Sequence, residues 1–246
     1  MADLAIIGGT GLQSLKTLQI THREMIHTPY GEPSGPLTHG ILGGKKVVFL
    51  PRHGPSHSIP PHEINYRANL WALKHSGVSK VIAVAAVGSI NKDFQPGQMV
   101  IPDQIIDYTW SRAHTFVEVG QTPVMHVDFT HPYSQMLREL LMQGCKLARI
   151  EASFSATYGA TQGPRLETAA EIDRMERDGC SLVGMTGMPE AALARELELE
   201  YATCAVVANM AAGRGKGNIS MTEIEHHLRA GMDQVRSLLE YVIPLV

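Results

Sequence analysis

The sequence predicts an α/β fold, in which one three-layer αβα domain spans residues 1–246 around a central mixed β-sheet. Apolar runs typical of strands alternate along the chain with patterns typical of amphipathic helices. The apolar runs are nearly continuous, as in strands that helices cover on both faces. Hydrophobic residues make up 44% of the 246 residues, enough for a large core, and no linker or internal repeat divides the chain.

Seven apolar runs are the predicted strands, and turn-forming residues end the first three. The runs cover residues 4–7, 46–50, 78–87, 99–106, 152–158, 181–183 and 201–208. Gly8 follows the first, Pro51 the second and Gly88 the third. Segment 26–42 contains several Gly and Pro residues, which predicts a loop or a hairpin.

Five helices are predicted between and after these runs. They cover residues 65–75, 134–148, 168–177, 189–197 and the C-terminal segment from 220 to Pro244. Ser220-Met221-Thr222-Glu223 matches a capping box, in which a hydroxyl and a carboxylate satisfy free backbone N–H groups. Apolar residues then recur at helical spacing as far as Pro244, which predicts the end of the last helix.

Charge and composition disfavour several classes of protein. Lys and Arg number 21 and Asp and Glu number 24, and this net charge of -3 without a basic block does not predict nucleic-acid binding. No apolar run approaches the roughly 20 residues that cross a bilayer, and the first residues lack the basic region of a signal peptide. Cys145, Cys180 and Cys204 are too scattered for a disulfide framework or a zinc finger. A reduced, cytoplasmic protein is expected.

Polar groups that favour anions follow several predicted strands. Gly8-Gly9-Thr10-Gly11 comes directly after the first strand and offers backbone N–H groups and a hydroxyl. Arg52-His53 comes directly after the second, and an Arg can bind phosphate through two parallel N–H bonds. Open α/β sheets bind ligands at the carboxyl ends of their strands. The anion site expected there comprises Thr10, Arg52, His53 and Thr186, with Glu167 and Asn209 near an organic ligand.

Each of these motifs alone also has a simpler explanation. The glycines suit a tight turn, Arg52-His53 suits a surface pair, and Asn209 suits the start of a turn. Neither a metal site nor a covalent nucleophile is predicted. His53, His57 and His62 lie close in sequence, but the intervening prolines break any helix that would align them. The chain has no Cys-His-Asn pattern and no G-x-S-x-G motif.

Five motifs in a fixed order are much more specific together than any one of them. They are residues 6–11, 52–54, 65–73, 163–168 and 183–190. Their combination resembles the trimeric purine nucleoside phosphorylase and methylthioadenosine phosphorylase family. The resemblance implies the nucleoside phosphorylase fold and the reversible cleavage of a purine nucleoside by phosphate, giving free base and ribose 1-phosphate or its 5-methylthio analogue. It implies inorganic phosphate as co-substrate, and neither metal nor organic cofactor.

The resemblance also implies roles for individual residues. Phosphate would contact Thr10, Arg52, His53, Thr186 and the strand at Ala85 and Ala86. Met185 would lie against the ribose, with His57 as a catalytic support near phosphate and sugar. The purine would face the catalytic Asn209, its neighbours Met210 and Ala211, and Glu167. Met221 would lie at the 5′ end of the sugar, and a neighbouring subunit of a homotrimer would contribute His126.

Departures from the family pattern predict the substrate. The methylthioadenosine enzymes have Thr at the position of Ala85, two acids at Asn209 and Ala211, and Ser at Glu167. Asn209 can donate to a 6-carbonyl and accept from protonated N7, and Glu167 can accept N1–H, so a 6-oxopurine is expected. The inosine and guanosine enzymes place a His near the 5′-hydroxyl where this chain has Met221, which can pack against a methylthio group. The expected substrate is therefore S-methyl-5′-thioinosine, in purine salvage.

Several alternatives remain open at this point. The chain could act on inosine and guanosine, or on methylthioadenosine. It could be a nucleosidase that uses water, although Arg52, Thr10 and Thr186 argue for phosphate, or a purine sensor without activity. Release of base with and without phosphate distinguishes the phosphorylase from the other two.

Overall fold

The structure is a computed structural model that describes residues 2–12, 15–118, 120, 124–217 and 219–246. Its strands are β1 Leu4–Gly8, β2 Gln19–Glu24, β3 Leu37–Leu42, β4 Lys45–Pro51, β5 Lys80–Ser89, β6 Met99–Val100, β7 Gln104–Asp107, β8 Ala152–Ser153, β9 Thr157–Ala160, β10 Leu182–Gly184 and β11 Glu200–Met210. Its helices are α1 Tyr66–His75, α2 Gln135–Ala148, α3 Ala169–Arg177, α4 Glu190–Glu196 and α5 Met221–Val242, followed by a 3₁₀ turn at Ile243–Leu245.

The strands form one mixed sheet centred on β5. The order is β2-β3-β4-β1-β5-β10-β9-β7, and β11 pairs with β5 and β6. β1 is parallel to β4 and β5, and β11 is parallel to β5, so these four strands end at the same edge of the sheet. β10 runs antiparallel to β5 and pairs Leu182 with Ser89 and Val183 with Gly88, so the segment that follows β10 runs back beside the last residues of β5.

Helices cover the two faces of this sheet, which confirms the three-layer αβα prediction. On one face the core contains Leu70 and Leu73 of α1 and Leu193 of α4. On the other it contains residues of α2 and α5, among them Leu137 and Leu238. A smaller core under α3 completes the packing. The long strands β1, β5 and β11 are almost wholly buried because apolar helix faces cover both of their sides.

Three predicted helices begin at residues whose side chains cap them. The side chains of Asn65, Ser134 and Thr168 accept hydrogen bonds from backbone N–H groups of the first turn of α1, α2 and α3. Thr168 forms a full capping box with Glu171. The capping box predicted at Ser220 is wrong, because Ser220 precedes α5 but its side chain makes no capping hydrogen bond. Packing of the apolar face of α5 on the sheet therefore holds this helix.

Two further differences from the sequence prediction have simple causes. The runs 99–106 and 152–158 each form two short strands, and Pro102, which has no backbone N–H, lies in the break of the first. β2 was not predicted, because its sequence is polar and all six of its residues are exposed. It pairs with β3, so the segment 26–42, predicted as a loop or a hairpin, is a loop followed by β3, within an antiparallel unit β2-β3-β4.

The three cysteines form no disulfide and are buried. Burial raises the pKa of each thiol, that of Cys145 to about 11, so each is a neutral, unreactive group at pH 7. Among the described residues, no helix is both long enough and apolar enough to cross a membrane.

Candidate active site

A cavity of about 350 Å³ lies at the edge of the sheet where the parallel strands end. The segments after β1, β4 and β10, the last residues of β5 and β11, the loop before α3 and the first turns of α5 all contribute to its lining. This position is where open α/β sheets bind ligands, because the strand ends and the turns that follow leave a crevice.

Most of the residues predicted for the site line this one cavity. They are Thr10, Arg52, His53, His57, Ala85, Ala86, Glu167, Met185, Thr186, Asn209, Ala211 and Met221. Met210 is not among the lining residues, and its Cβ lies against the turn at Gly215, because neighbouring residues of a strand point to opposite faces. His126 is exposed in the segment 124–130 and does not line the cavity of its own chain.

A buried ion pair holds Arg52 at the end of β4. Its Nε donates to Glu190 Oε2 at 2.6 Å, its Nη2 to Glu190 Oε1 at 2.8 Å, and its Nη1 to the Val84 carbonyl at 2.8 Å. Tyr201 also donates its hydroxyl to Glu190 at 2.8 Å. Burial would lower the pKa of Arg52, but the carboxylate outweighs it and raises that pKa, so the guanidinium stays charged.

This pairing changes what Arg52 offers to an anion. A guanidinium has five N–H hydrogens, and three are used within the protein, which leaves one on Nη1 and one on Nη2. The formal charge of the pair is zero, so an anion here depends on directed hydrogen bonds more than on net charge. A Cβ at Gly9 would lie only 3.0 Å from Nη1 and 2.5 Å from the Val84 oxygen, so glycine is required for this close approach. Glu190 was not predicted to act in this site, because it lies 138 positions from Arg52 and no local sequence pattern links the two.

His53 is neutral in this site. Its Nδ1 donates to the Ile59 carbonyl at 2.9 Å, which leaves a lone pair on Nε2. Burial and then the charge of Arg52 lower the pKa of His53 to about 4. In this state Nε2 of His53 accepts a hydrogen bond. His57 stands beside it, with ring centroids 4.6 Å apart, and has a positive φ of 55°.

A β-bulge in β11 brings Asn209 into the cavity. The register of β11 on β5 shifts between Val207 and Asn209, after which Asn209 pairs with Gly88. A bulge reverses the side to which the following side chains point, so Asn209 faces the crevice. Its Nδ2 donates to the Met210 carbonyl at 2.7 Å, which leaves the Oδ1 acceptor and one N–H for a ligand.

Arg112 joins the two loops that flank the cavity, although no sequence motif predicts this role. Its guanidinium donates to the carbonyls of Met185 at 2.8 Å and Met188 at 2.6 Å, and to the carbonyl of Gln162 at 2.8 Å. Beside it, Thr161 donates its hydroxyl to Glu167 Oε1 at 2.6 Å. These bonds fix the positions of Met185 and Glu167. Arg165, from the same loop, pairs instead with Glu171 at the surface.

The end of the cavity next to α5 is apolar. Ile219, Met221, Ile224 and Leu228 line it, and Met221 is 64% exposed at the start of the helix. The cavity therefore has a polar part at Arg52, His53 and Thr186, hydrogen-bonding groups at Asn209 and Glu167, and this apolar end. Such a combination suits an anion together with an organic ligand that carries both polar and apolar groups.

Comparison with known proteins identifies the family. The family described as "Phosphorylase superfamily" matches residues 3–244. This chain belongs to that superfamily. A probable S-methyl-5′-thioinosine phosphorylase of Pseudomonas syringae pv. tomato is 51% identical over 99% of both chains, and a 6-oxopurine nucleoside phosphorylase of Pyrococcus furiosus is 44% identical over 100% of this chain and 94% of its own. The family resemblance predicted from the five motifs is thereby confirmed.

Solved structures of the superfamily have the same fold. Methylthioadenosine phosphorylase from Schistosoma mansoni, in complex with adenine, aligns with a TM-score of 0.94 and 30% identity, covering 100% of this chain and 92% of that one. The predicted nucleoside phosphorylase fold is therefore confirmed, and the chain is an enzyme of the nucleoside phosphorylase, or pentosyltransferase, type. Phosphorylases of this family use phosphate as the second substrate.

Proposed function

We propose that the protein catalyses the reversible phosphorolysis of S-methyl-5′-thioinosine to hypoxanthine and 5-methylthioribose 1-phosphate. The observation that carries the proposal is the cavity at the sheet edge. It combines an amide and a carboxylate at the base position, a methionine-bearing apolar end, and a buried arginine. The similarity to probable S-methyl-5′-thioinosine phosphorylases supports the same substrate.

Phosphate is proposed to bind between the ends of β1, β4 and β10. The two remaining guanidinium hydrogens of Arg52 and the hydroxyls of Thr10 and Thr186 supply donors, and Nε2 of His53 accepts the hydrogen of a P–OH group. Cleavage of the glycosidic bond builds positive charge on the sugar, and an adjacent phosphate stabilises this charge before it bonds to C1′. This route requires no protein nucleophile.

The base is proposed to lie against Asn209 and Glu167. The free N–H of Asn209 donates to a 6-carbonyl, and its Oδ1 accepts from N7 as the leaving purine is protonated. Glu167, held by Thr161, accepts from N1–H. An adenine nucleoside has an amino group in place of the 6-carbonyl and has no N1–H. The free N–H of Asn209 then has no acceptor at C6, and the Glu167 carboxylate has no donor at N1.

Dependence on phosphate is the first test of the proposal. Base should be released from methylthioinosine with phosphate and not without it. Thr186→Val keeps the shape of the side chain and removes its hydroxyl. A hydrogen bond to a charged group contributes about 1.5–3 kcal/mol, so the KM of the Thr186→Val variant for phosphate should rise roughly 10- to 150-fold. Arg52→Ala is a poor test, because it leaves the Glu190 carboxylate buried without a counter-charge. Equal release without phosphate would indicate a nucleosidase.

The identity of the base is tested by Asn209→Asp. An acid at this position suits a 6-amino group, so the variant should shift the ratio of kcat/KM for methylthioadenosine over methylthioinosine upward. The site of the wild type should prefer methylthioinosine by a large factor, up to about 10⁴, because buried polar groups discriminate strongly. A wild type that cleaves methylthioadenosine faster contradicts the proposed base.

The 5′ group is tested by Met221→His. The apolar end should favour a methylthio group over a hydroxyl by about 10- to 200-fold in kcat/KM, as hydrophobic pockets commonly do. The variant should lower the ratio for methylthioinosine over inosine. The alternative is a phosphorylase of inosine and guanosine, which the similarity to the Pyrococcus furiosus enzyme favours. A wild-type ratio near one supports that alternative.

The assembly is proposed to be a homotrimer in which His126 reaches a neighbouring cavity. Val124 and Met125, which precede it, are apolar and are 62% and 51% exposed, as residues at an interface would be in a single chain. Sedimentation should give a trimer, and His126→Ala should raise the nucleoside KM without dissociating it. A fully active monomer would contradict this assembly.

A further inference from the structure

Two histidines and a glutamate form a cluster on the β2–β3 hairpin, and none of them lines the active-site cavity. His22 and Glu24 of β2 and His39 of β3 each place one ligand atom within 4.8 Å of the other two. His22 and His39 are directly paired across the two strands. Glu24 lies two residues from His22, so all three side chains project from one face of the hairpin.

The spacing of this cluster approaches the spacing that one ion requires. His39 Nε2 and Glu24 Oε2 are 3.2 Å apart. Two ligands of a tetrahedral ion with bonds of about 2.0–2.1 Å lie about 3.3 Å apart. The rings of His22 and His39 are stacked, with centroids 4.3 Å apart and planes 9° from parallel. The ligand nitrogen of His22 lies within 4.8 Å of the other two ligand atoms, so His22 must move closer to them when an ion binds.

Both imidazoles have a ring nitrogen available as a ligand. Thr21 Oγ1 donates to the His39 carbonyl at 3.2 Å and lies 3.2 Å from His22 Nδ1. Its proton is thereby used, so it accepts from Nδ1–H and leaves a lone pair on His22 Nε2. His39 Nε2 is buried and has no hydrogen-bond partner among the described residues, and its contact with Glu24 lacks hydrogen-bond geometry.

The surroundings give such a site room and a structural consequence. A cavity of about 450 Å³ adjoins the cluster, with Lys46 and Ile41 on its wall, so water can complete the coordination. β2 buries none of its six residues and pairs only with β3 in the described sheet. A ligand bridge across the two strands would therefore add to the few contacts that hold this edge strand in place.

We propose that His22, Glu24 and His39 bind one divalent transition-metal ion, of the class of Zn²⁺, Co²⁺ or Ni²⁺, through two imidazole nitrogens and one carboxylate oxygen. Two nitrogen donors suit these ions, whereas Mg²⁺ and Ca²⁺ prefer oxygen ligands. The ion joins β2 to β3 and takes no part in phosphorolysis, because the cluster lies outside the active-site cavity.

The test is Co²⁺ binding to metal-free protein, measured by equilibrium dialysis and by the visible absorption of the bound ion. The wild type should have one saturable site that Zn²⁺ displaces. His39→Ala and His22→Ala should each weaken binding at this site at least 100-fold, since even loss of an outer partner costs about 10- to 100-fold. His27→Ala, which removes an exposed histidine paired with Glu32 near the same hairpin, is the control and should bind as the wild type does.

The double variant His22→Ala/His39→Ala distinguishes the proposed site from two other pairs of neighbouring histidines. The rings of His53 and His57 and of His226 and His227 are 4.6 and 5.4 Å apart, and either pair could bind an ion. If the double variant binds as many ions as the wild type with equal affinity, or if the wild type has no saturable site, the proposal is wrong. Glu24→Gln, a milder change on an exposed residue, should also weaken binding, and unchanged phosphorolysis in each variant verifies the fold.

Discussion

Replacement of Glu190 by Gln tests the buried ion pair that positions Arg52. Glu190 is fully buried and accepts two hydrogen bonds from Arg52, at 2.6 and 2.8 Å, and one from Tyr201. Gln has nearly the same shape, but it removes the negative charge and places an NH₂ donor against a donor of Arg52. The guanidinium then remains buried without a counter-charge, which is the costly case for an ion pair.

The expected loss of stability follows from the burial of the Arg52–Glu190 pair. Loss of one partner of a buried ion pair costs about 3–5 kcal/mol. For a chain of this length each kcal/mol lowers Tm by about 2–4 °C, so Glu190→Gln should lower Tm by about 6–20 °C. Calorimetry at one fixed protein concentration measures this shift, since an oligomer would make Tm depend on concentration.

A matched control exists in the same chain. Arg165 and Glu171 form a similar two-bond pair, at 2.8 and 2.7 Å, but at the surface. Glu171→Gln keeps the capping box with Thr168, because Gln also serves in that position. Its Tm should fall far less than that of Glu190→Gln, since water screens the exposed pair. If both variants lose equal stability, or if Glu190→Gln unfolds within about 1 °C of the wild type, burial is not what makes this pair important.

Two further predictions concern groups around the cavity. The pKa of His53 is about 4 in the folded protein, against 6.5 for a fully solvated histidine, so the unfolded chain binds more protons between these values. Stability should therefore fall as pH is lowered from 6.5 to 4, by about 3 kcal/mol, and His53→Asn should remove this part of the pH dependence while the control His27→Asn keeps it. Arg112→Lys should lose most of the carbonyl contacts that fix Met185, and kcat/KM for the nucleoside should fall about 10- to 100-fold with a smaller change in phosphate KM. An unchanged pH profile or unchanged kinetics would contradict the respective assignment.

The sequence predicted the secondary structure best where burial and periodicity agree. β1, β5 and β11 are continuous apolar runs, and α1 and α2 have both an apolar face and a capping residue, so local patterns sufficed. β2 lacks any such pattern, because pairing with β3 and not burial makes it a strand. The capping box predicted at Ser220 was wrong because such a sequence pattern allows a side-chain hydrogen bond to the first turn of the helix but does not require it.

The sequence by itself determined the fold class and which polar residues would gather, because residues such as Thr10, Arg52 and Asn209 lie at the ends of apolar runs, and open α/β sheets bind ligands at the carboxyl ends of their strands. The tertiary structure decided how these residues are arranged. It alone revealed that Glu190 neutralises Arg52 from 138 positions away, that Arg112 ties together the flanking loops, and that a bulge turns Asn209 toward the cavity. These are contacts between distant segments and shifts in strand register, and no local periodicity encodes either of them.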